Sequence, residues 1–226
     1  MTTLWSSLLP LIVGSALVPI QYVITTLLLR SRAGKVTAVA WVAGMTAVRL
    51  AQGLVFGLII GTSTSGGETS DGSSSAVSLL LLAVAILFYM AALKQLLGHP
   101  DEDAPPPKWM AVVEEATPGK AFLLGLGVLA IGAKFWVFTL GAIAAIGDAG
   151  MDRPASITTF LLFVVLAESL QLALLVVAYV LPDRSSAILD HVASLLQRYN
   201  RILVIGLGLV FGTWFLIKAL SGLGFH

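Results

Sequence analysis

Six apolar runs, each roughly 20–26 residues long, dominate this chain: 4–29, 36–60, 76–97, 121–146, 156–181 and 202–220. About 20 predominantly apolar residues make a helix long enough to cross about 30 Å of hydrocarbon. Their Leu, Val, Ile and Ala content fits helices, whereas a closed barrel would need short segments of alternating polarity. Composition agrees: 58% of residues are apolar and 11% charged, with a mean hydropathy of +0.96. A soluble domain carries about 25% charged residues. The expected fold class is therefore an all-α integral membrane protein with six transmembrane helices. The first run has no basic residue ahead of it and exceeds a signal-peptide core, so it reads as a retained helix.

Several function classes drop out. A net charge of +1 excludes a basic nucleic-acid binder. Without any Cys, thiolate metal sites, iron–sulfur clusters and cysteine nucleophiles are excluded. His99, His191 and His226 all fall outside the spans, which argues against an imidazole metal site or proton relay in the membrane. No HExxH, GxSxG or Walker A pattern occurs. No cofactor, no metal and no enzymatic role are expected.

Basic residues set a direction. Arg30, Arg32, Lys35, Lys94, Lys108, Lys120, Arg184, Arg198 and Arg201 flank the odd-numbered connections, against Arg153 and Lys218 on the other side. By the positive-inside rule, both termini lie outside the cytoplasm. Residues 61–75 read as a Gly/Ser-rich outer loop, and 99–107 as an acidic, Pro-rich linker. The division expected is a first three-helix repeat over 1–98, a cytoplasmic linker over 99–120 and a second repeat over 121–226. At about 183–200, Ile188, Leu189, Val192, Leu195, Leu196 and Tyr199 recur at helical spacing, as in an interfacial amphipathic helix. Trp109, Val112 and Val113 suggest a shorter version ahead of the fourth span.

The strongest functional signal lies inside the spans. Arg49, Lys134 and Glu168 sit near the middle of the second, fourth and fifth runs. Each costs about 2.5–3.5 kcal/mol at a helix centre on the insertion scale, and such residues usually face a bundle interior or a watery cavity. Arg49 is followed three residues later by Gln52, and Glu168 by Gln171. That step puts charge and amide on one helix face. A weaker echo links Pro19 to Tyr22 in the first span with Gly132 to Phe135 in the fourth. Together these suggest a three-plus-three inverted repeat with a polar site near the midplane. Pro19 lacks an N–H and clashes with the Ser15 carbonyl, so it should kink the first span beside Gln21; Gly132 is a comparable weak point. Two readings stay open: a structural Arg49–Glu168 ion pair, or a cavity in which Lys134 leaves a surplus positive charge for an anionic or zwitterionic group. The GxxxG patterns at Gly53, Gly57 and Gly61 and at Gly208 and Gly212 likewise fit either packing within one chain or a dimer face.

Short motifs over nearly the whole chain resemble the GAP family (glycopeptidolipid- or sulfolipid-addressing proteins), within the lysine-exporter (LysE) superfamily. They are Gly14-Ser15-Ala16-Leu17-Val18-Pro19 in the first span and Ala40-Trp41-Val42-Ala43-Gly44 in the second. Thr117-Pro118-Gly119-Lys120-Ala121-Phe122 leads into the fourth, and Leu181-Pro182-Asp183-Arg184 and Gly212-Thr213-Trp214-Phe215 follow. Where that family commonly has Asn-Pro-Lys in the fourth span, this chain has Gly132-Ala133-Lys134. The resemblance implies export across the plasma membrane, of envelope glycolipids in one branch and of amino acids or ions in others, and a homodimer.

The functional expectation is a multi-pass secondary transporter or export factor for an amphipathic envelope lipid or lipid-linked anion. Arg49 and Lys134 would attract the anion, Glu168 would balance charge or carry a proton, and Gln21, Gln52 and Gln171 would orient the ligand. Pro19 and Gly132 would serve as hinges. The alternatives are an exporter of a small polar solute such as an amino acid, or a non-transporting membrane partner of a larger lipid-export machine.

Overall fold

The computed structural model describes residues 2–31, 34–63, 71–97 and 108–224, and among these the chain is helical with no strand. Ten helices follow one another: α1 (Thr2–Ala16), α2 (Pro19–Arg30), α3 (Gly34–Ser63), α4 (Asp71–Leu97), α5 (Lys108–Glu114), α6 (Pro118–Ile131), α7 (Ala133–Asp148), α8 (Arg153–Ala167), α9 (Ser169–Val180) and α10 (Pro182–Gly222). Stretches of α3 (Gly34–Gly57) and α10 (Val204–Ser221) are each long and apolar enough to cross a membrane. Three bent pairs qualify as single spans: α1 with α2 at 47°, α6 with α7 at 68°, and α8 with α9 at 61°. The described residues thus support two to five spans. The third of the six sequence runs enters as the shorter apolar stretch Ala85–Leu97 of α4. Of the expected 61–75 loop, 61–63 end α3 and 71–75 open α4, so it is shorter than expected, while 64–70 and the whole 99–107 linker lie outside the described residues.

Each break has its own local cause. Pro19 forces extended backbone on the residue before it, and Val18 takes φ −74°, ψ 108°, so α1 ends and Pro19 opens α2. Gly132 sits at φ −74°, ψ 97° between α6 and α7. A Cβ there would meet the Val128 carbonyl oxygen at 2.7 Å and the Phe135 ring at 2.6 Å, so only glycine fits. The Trp136 indole N–H donates to the Ala130 carbonyl at 2.7 Å, supplying a partner near the end of α6. The third break falls at Glu168, at φ −104°, ψ 4°, with neither proline nor glycine nearby.

The chain forms two compact units. One comprises 1–60 and 104–198. In it α1 packs on α7 and α8, and α2 packs on α5 and α9. Gly44 of α3 and Gly125 of α6 let two backbones meet: a Cβ on Gly44 would strike the Phe122 carbonyl oxygen, and one on Gly125 the Trp41 carbonyl oxygen. Gly53 lies against the Phe160 ring, while Gly57 faces open space. The other unit, 61–103 with 199–226, pairs α4 with the C-terminal part of α10. There Gly208 lies against Phe88 and Ala92, and Gly212 against the Tyr89 ring, so this GxxxG pair packs within the chain. The stretch expected as a separate interfacial helix is continuous with the last apolar run in the 41-residue α10. Val192 packs on Tyr22 and Leu174, while Leu195 and Tyr199 stay exposed.

Candidate functional site

Arg49, on α3, is completely buried, and its guanidinium is the centre of a polar cluster. Nε donates to Glu168 Oε1 at 3.2 Å, one Nη to Thr139 Oγ1 at 3.3 Å, and the other Nη to Ser15 Oγ at 2.7 Å. Thr46, one turn before Arg49 on the same helix, donates to the other Glu168 oxygen at 2.6 Å. The Thr139 hydroxyl in turn donates to the Phe135 carbonyl at 3.2 Å. Each partner comes from a different place: Ser15 from the end of α1, Thr139 from α7, and Glu168 from the α8–α9 junction. The carboxylate therefore meets the cation where the backbone of the fifth run leaves helical geometry. Two buried charges in an apolar setting persist only with such mutual and additional hydrogen bonds.

A second polar contact lies alongside. Gln171, the third residue of α9, donates from Nε2 to Gln21 Oε1 at 3.0 Å; Gln21 is the third residue of α2. The same Nε2 lies 3.9 Å from Met45 Sδ, one turn before Arg49 on α3. Thus the α8–α9 junction offers Glu168 to Arg49, and α9 offers Gln171 to Met45. Two α-helix N-termini, which carry partial positive charge, meet at this glutamine pair. Gln21 Nε2 and Gln171 Oε1 are buried without a hydrogen-bond partner among the described residues, and so are both polar atoms of Gln52. A buried amide left unpaired costs about 1–3 kcal/mol on protein scales.

Of the residues singled out in the sequence, Arg49 and Glu168 form an ion pair, and Gln21 and Gln171 a hydrogen-bonded pair. Gln52 is buried one turn beyond Arg49, and neither of its amide atoms has a hydrogen-bond partner among the described residues. Lys134 belongs to the first turn of α7, immediately after the Gly132 break, and its side chain lies outside the described residues. Pro19 and Gly132 both stand at breaks. Sequence reasoning missed Thr46, Thr139 and the hydroxyl of Ser15. Their spacing held a faint signal, since Thr46 and Arg49 are three residues apart, but Ser and Thr in membrane helices usually bond their own backbone. Among the described residues no three His, Asp or Glu side chains gather as a metal site.

A search of curated proteins and one of solved structures found no match. The family model of the sulfolipid-1-addressing protein (Sap) matches residues 8–221, a range that includes all three helix breaks and every polar residue of the cluster. This agrees with the sulfolipid-addressing resemblance and carries nothing about the wider lysine-exporter superfamily. On that match the chain belongs to the sulfolipid-1-addressing protein family, as a membrane protein of a lipid-related kind.

Proposed function

We propose that the protein is a secondary transporter or export factor that moves an amphipathic cell-envelope lipid, or a lipid-linked anion, across the plasma membrane. One observation carries this reading: a fully buried arginine takes its counter-ion from a residue at a helix break, where small backbone rotations can withdraw it. An incoming sulfate, phosphate or carboxylate would exchange with Glu168 for the Arg49 guanidinium, whose planar fork suits such groups. Glu168 would take up a proton as it leaves, so the buried charge stays balanced. Gln21 Nε2 offers a donor and Gln171 Oε1 an acceptor to orient the ligand, with Gln52 and Lys134 as further contacts. We read the molecule as six spans in a three-plus-three inverted repeat, with both termini outside and α4 as the third span. Support comes from the matched interruptions of the first and fourth runs, since paired broken helices mark the binding region of inverted-repeat transporters. Rocking about Pro19 and Gly132, and now Glu168, would alternate access. No bond chemistry is required of it.

The test is an untargeted profile of envelope lipids and exported metabolites in a deletion strain. The strain is complemented by wild type, Arg49→Ala or Glu168→Gln, each at matched membrane abundance. The expected result is one polar lipid that reaches the outer envelope only with the wild type. Build-up of a small solute with lipids unchanged would move the protein to solute export. No change in either pool would leave it as a partner of another export machine.

A further inference from the structure

Where α4 and the C-terminal part of α10 pack, Ile86, Tyr89, Met90, Leu93, Leu96 and Leu209 line an open, apolar groove of about 330 Å³. That volume is near the lower end of the range of about 300–1,000 Å³ for ligand pockets. Its shape follows from the sequence. The α4 residues recur at three- and four-residue steps, so they form one stripe, and Gly208 brings α10 close enough to leave a furrow rather than a flat face. From Ile86 to Leu96 the stripe runs about 15 Å at 1.5 Å per residue. A bilayer's hydrocarbon is about 30 Å thick, so the groove matches the depth of one leaflet.

One end is basic. Arg201 donates from Nε to the Gln95 carbonyl and from an Nη to the Leu96 carbonyl, both at 3.1 Å, which fixes an exposed guanidinium at the last carbonyls of α4. Only two of its five N–H donors serve those bonds. Lys94, in the last turn of α4, is also exposed. An apolar furrow one leaflet long that ends at a fixed guanidinium, with a second exposed cation in that last turn of α4, is complementary to a single class of molecule. We propose that it seats one acyl chain of an anionic bilayer lipid, whose headgroup lies on Arg201 and Lys94. This is a resident-lipid site and stands independently of what passes Arg49.

The test uses the full chain in nanodiscs of equal phosphatidylglycerol and phosphatidylcholine, gently extracted and weighed by native mass spectrometry. One bound phosphatidylglycerol should be retained about fivefold over phosphatidylcholine, the preference that one well-placed basic residue confers. Arg201→Gln should remove most of that preference, and Leu93→Trp, which fills the groove, should remove the bound lipid of either kind. Lys94→Gln, which touches no carbonyl cap, should lower the ratio in part and keeps the test decisive if Arg201→Gln fails to fold. Equal retention of both lipids by the wild type would overturn the proposal, reducing the groove to ordinary lipid contact. Unchanged phosphatidylglycerol retention in Leu93→Trp would overturn it too. So would a protein dimer that Leu93→Trp dissociates, because a second copy would then fill the groove.

Discussion

Around Arg49, segments far apart in sequence are joined by charge and hydroxyl groups: Ser15, Thr46, Thr139 and Glu168 all converge on one guanidinium or its counter-ion. The pairing of α4 with α10 relies on different chemistry. The Phe88 ring centroid stands 5.9 Å from that of Phe215 and 6.1 Å from that of Phe211, Tyr89 Oη and Thr213 Oγ1 share a hydrogen bond at 2.8 Å, and Arg201 caps the Gln95 and Leu96 carbonyls. Aromatic packing, two close glycines and a few hydrogen bonds join these two helices. The polar cluster needs buried charges answered partner by partner, and it sits among three interrupted helices. That contrast in chemistry is what supports the proposal of a functional site at Arg49.

The comparison can be broken most forcefully at Arg49. Arg49→Ala strands a buried carboxylate and should lower stability by about 3–5 kcal/mol. Adding Glu168→Ala should recover much of that loss, and thermal unfolding of the two single variants and the double variant in detergent would measure the coupling. Near-zero coupling would contradict the ion pair. Next in size is Gly125→Leu, which drives a side chain into the Trp41 carbonyl and should cost about 1–3 kcal/mol or more. Gly57→Leu, at an open position, should cost little by comparison, and a fluorescence melt of both would check the difference. On the aromatic side, Tyr89→Phe removes a single interhelical hydrogen bond and should cost about 0.6 kcal/mol. The smallest stability effect belongs to Gln171→Leu. It removes an amide that is only half satisfied, so its melting temperature should stay near that of the wild type while export falls. A large stability loss there would instead make the glutamine pair a structural clasp.

Much of this was legible in the residues themselves. Apolar runs located the helices, and intramembrane charges located the cluster, because an ion in hydrocarbon is too costly to be incidental. Pro19 and Gly132 announced their breaks through backbone sterics. The break at Glu168 was not legible, since no residue there forbids a helix; its only sign is a carboxylate with partners on another helix, and that is tertiary information. For the same reason the contact between Gly44 and Gly125 was hidden. Each glycine looks ordinary in its own helix, while the more conspicuous GxxxG pattern at Gly53 and Gly57 includes a glycine that touches nothing. The hydroxyls of Ser15, Thr46 and Thr139 escaped because in a lone helix they serve their own backbone. Continuity of α10 through 182–222 was masked by the change from amphipathic to wholly apolar character near Arg201.

The most direct test of the Arg49 site as a passage for anions is lipid translocation in proteoliposomes by the Arg49→Ala/Glu168→Ala double variant. That protein has lost both charges together and so avoids the stranded ion that destabilises either single variant. Paired fluorescent lipids, one with a sulfated and one with a neutral headgroup, would be followed from one leaflet to the other. The wild type should move the sulfated lipid and the folded double variant should not. Equal translocation of the sulfated lipid by both proteins would contradict the site assignment and leave the ion pair as a structural tie.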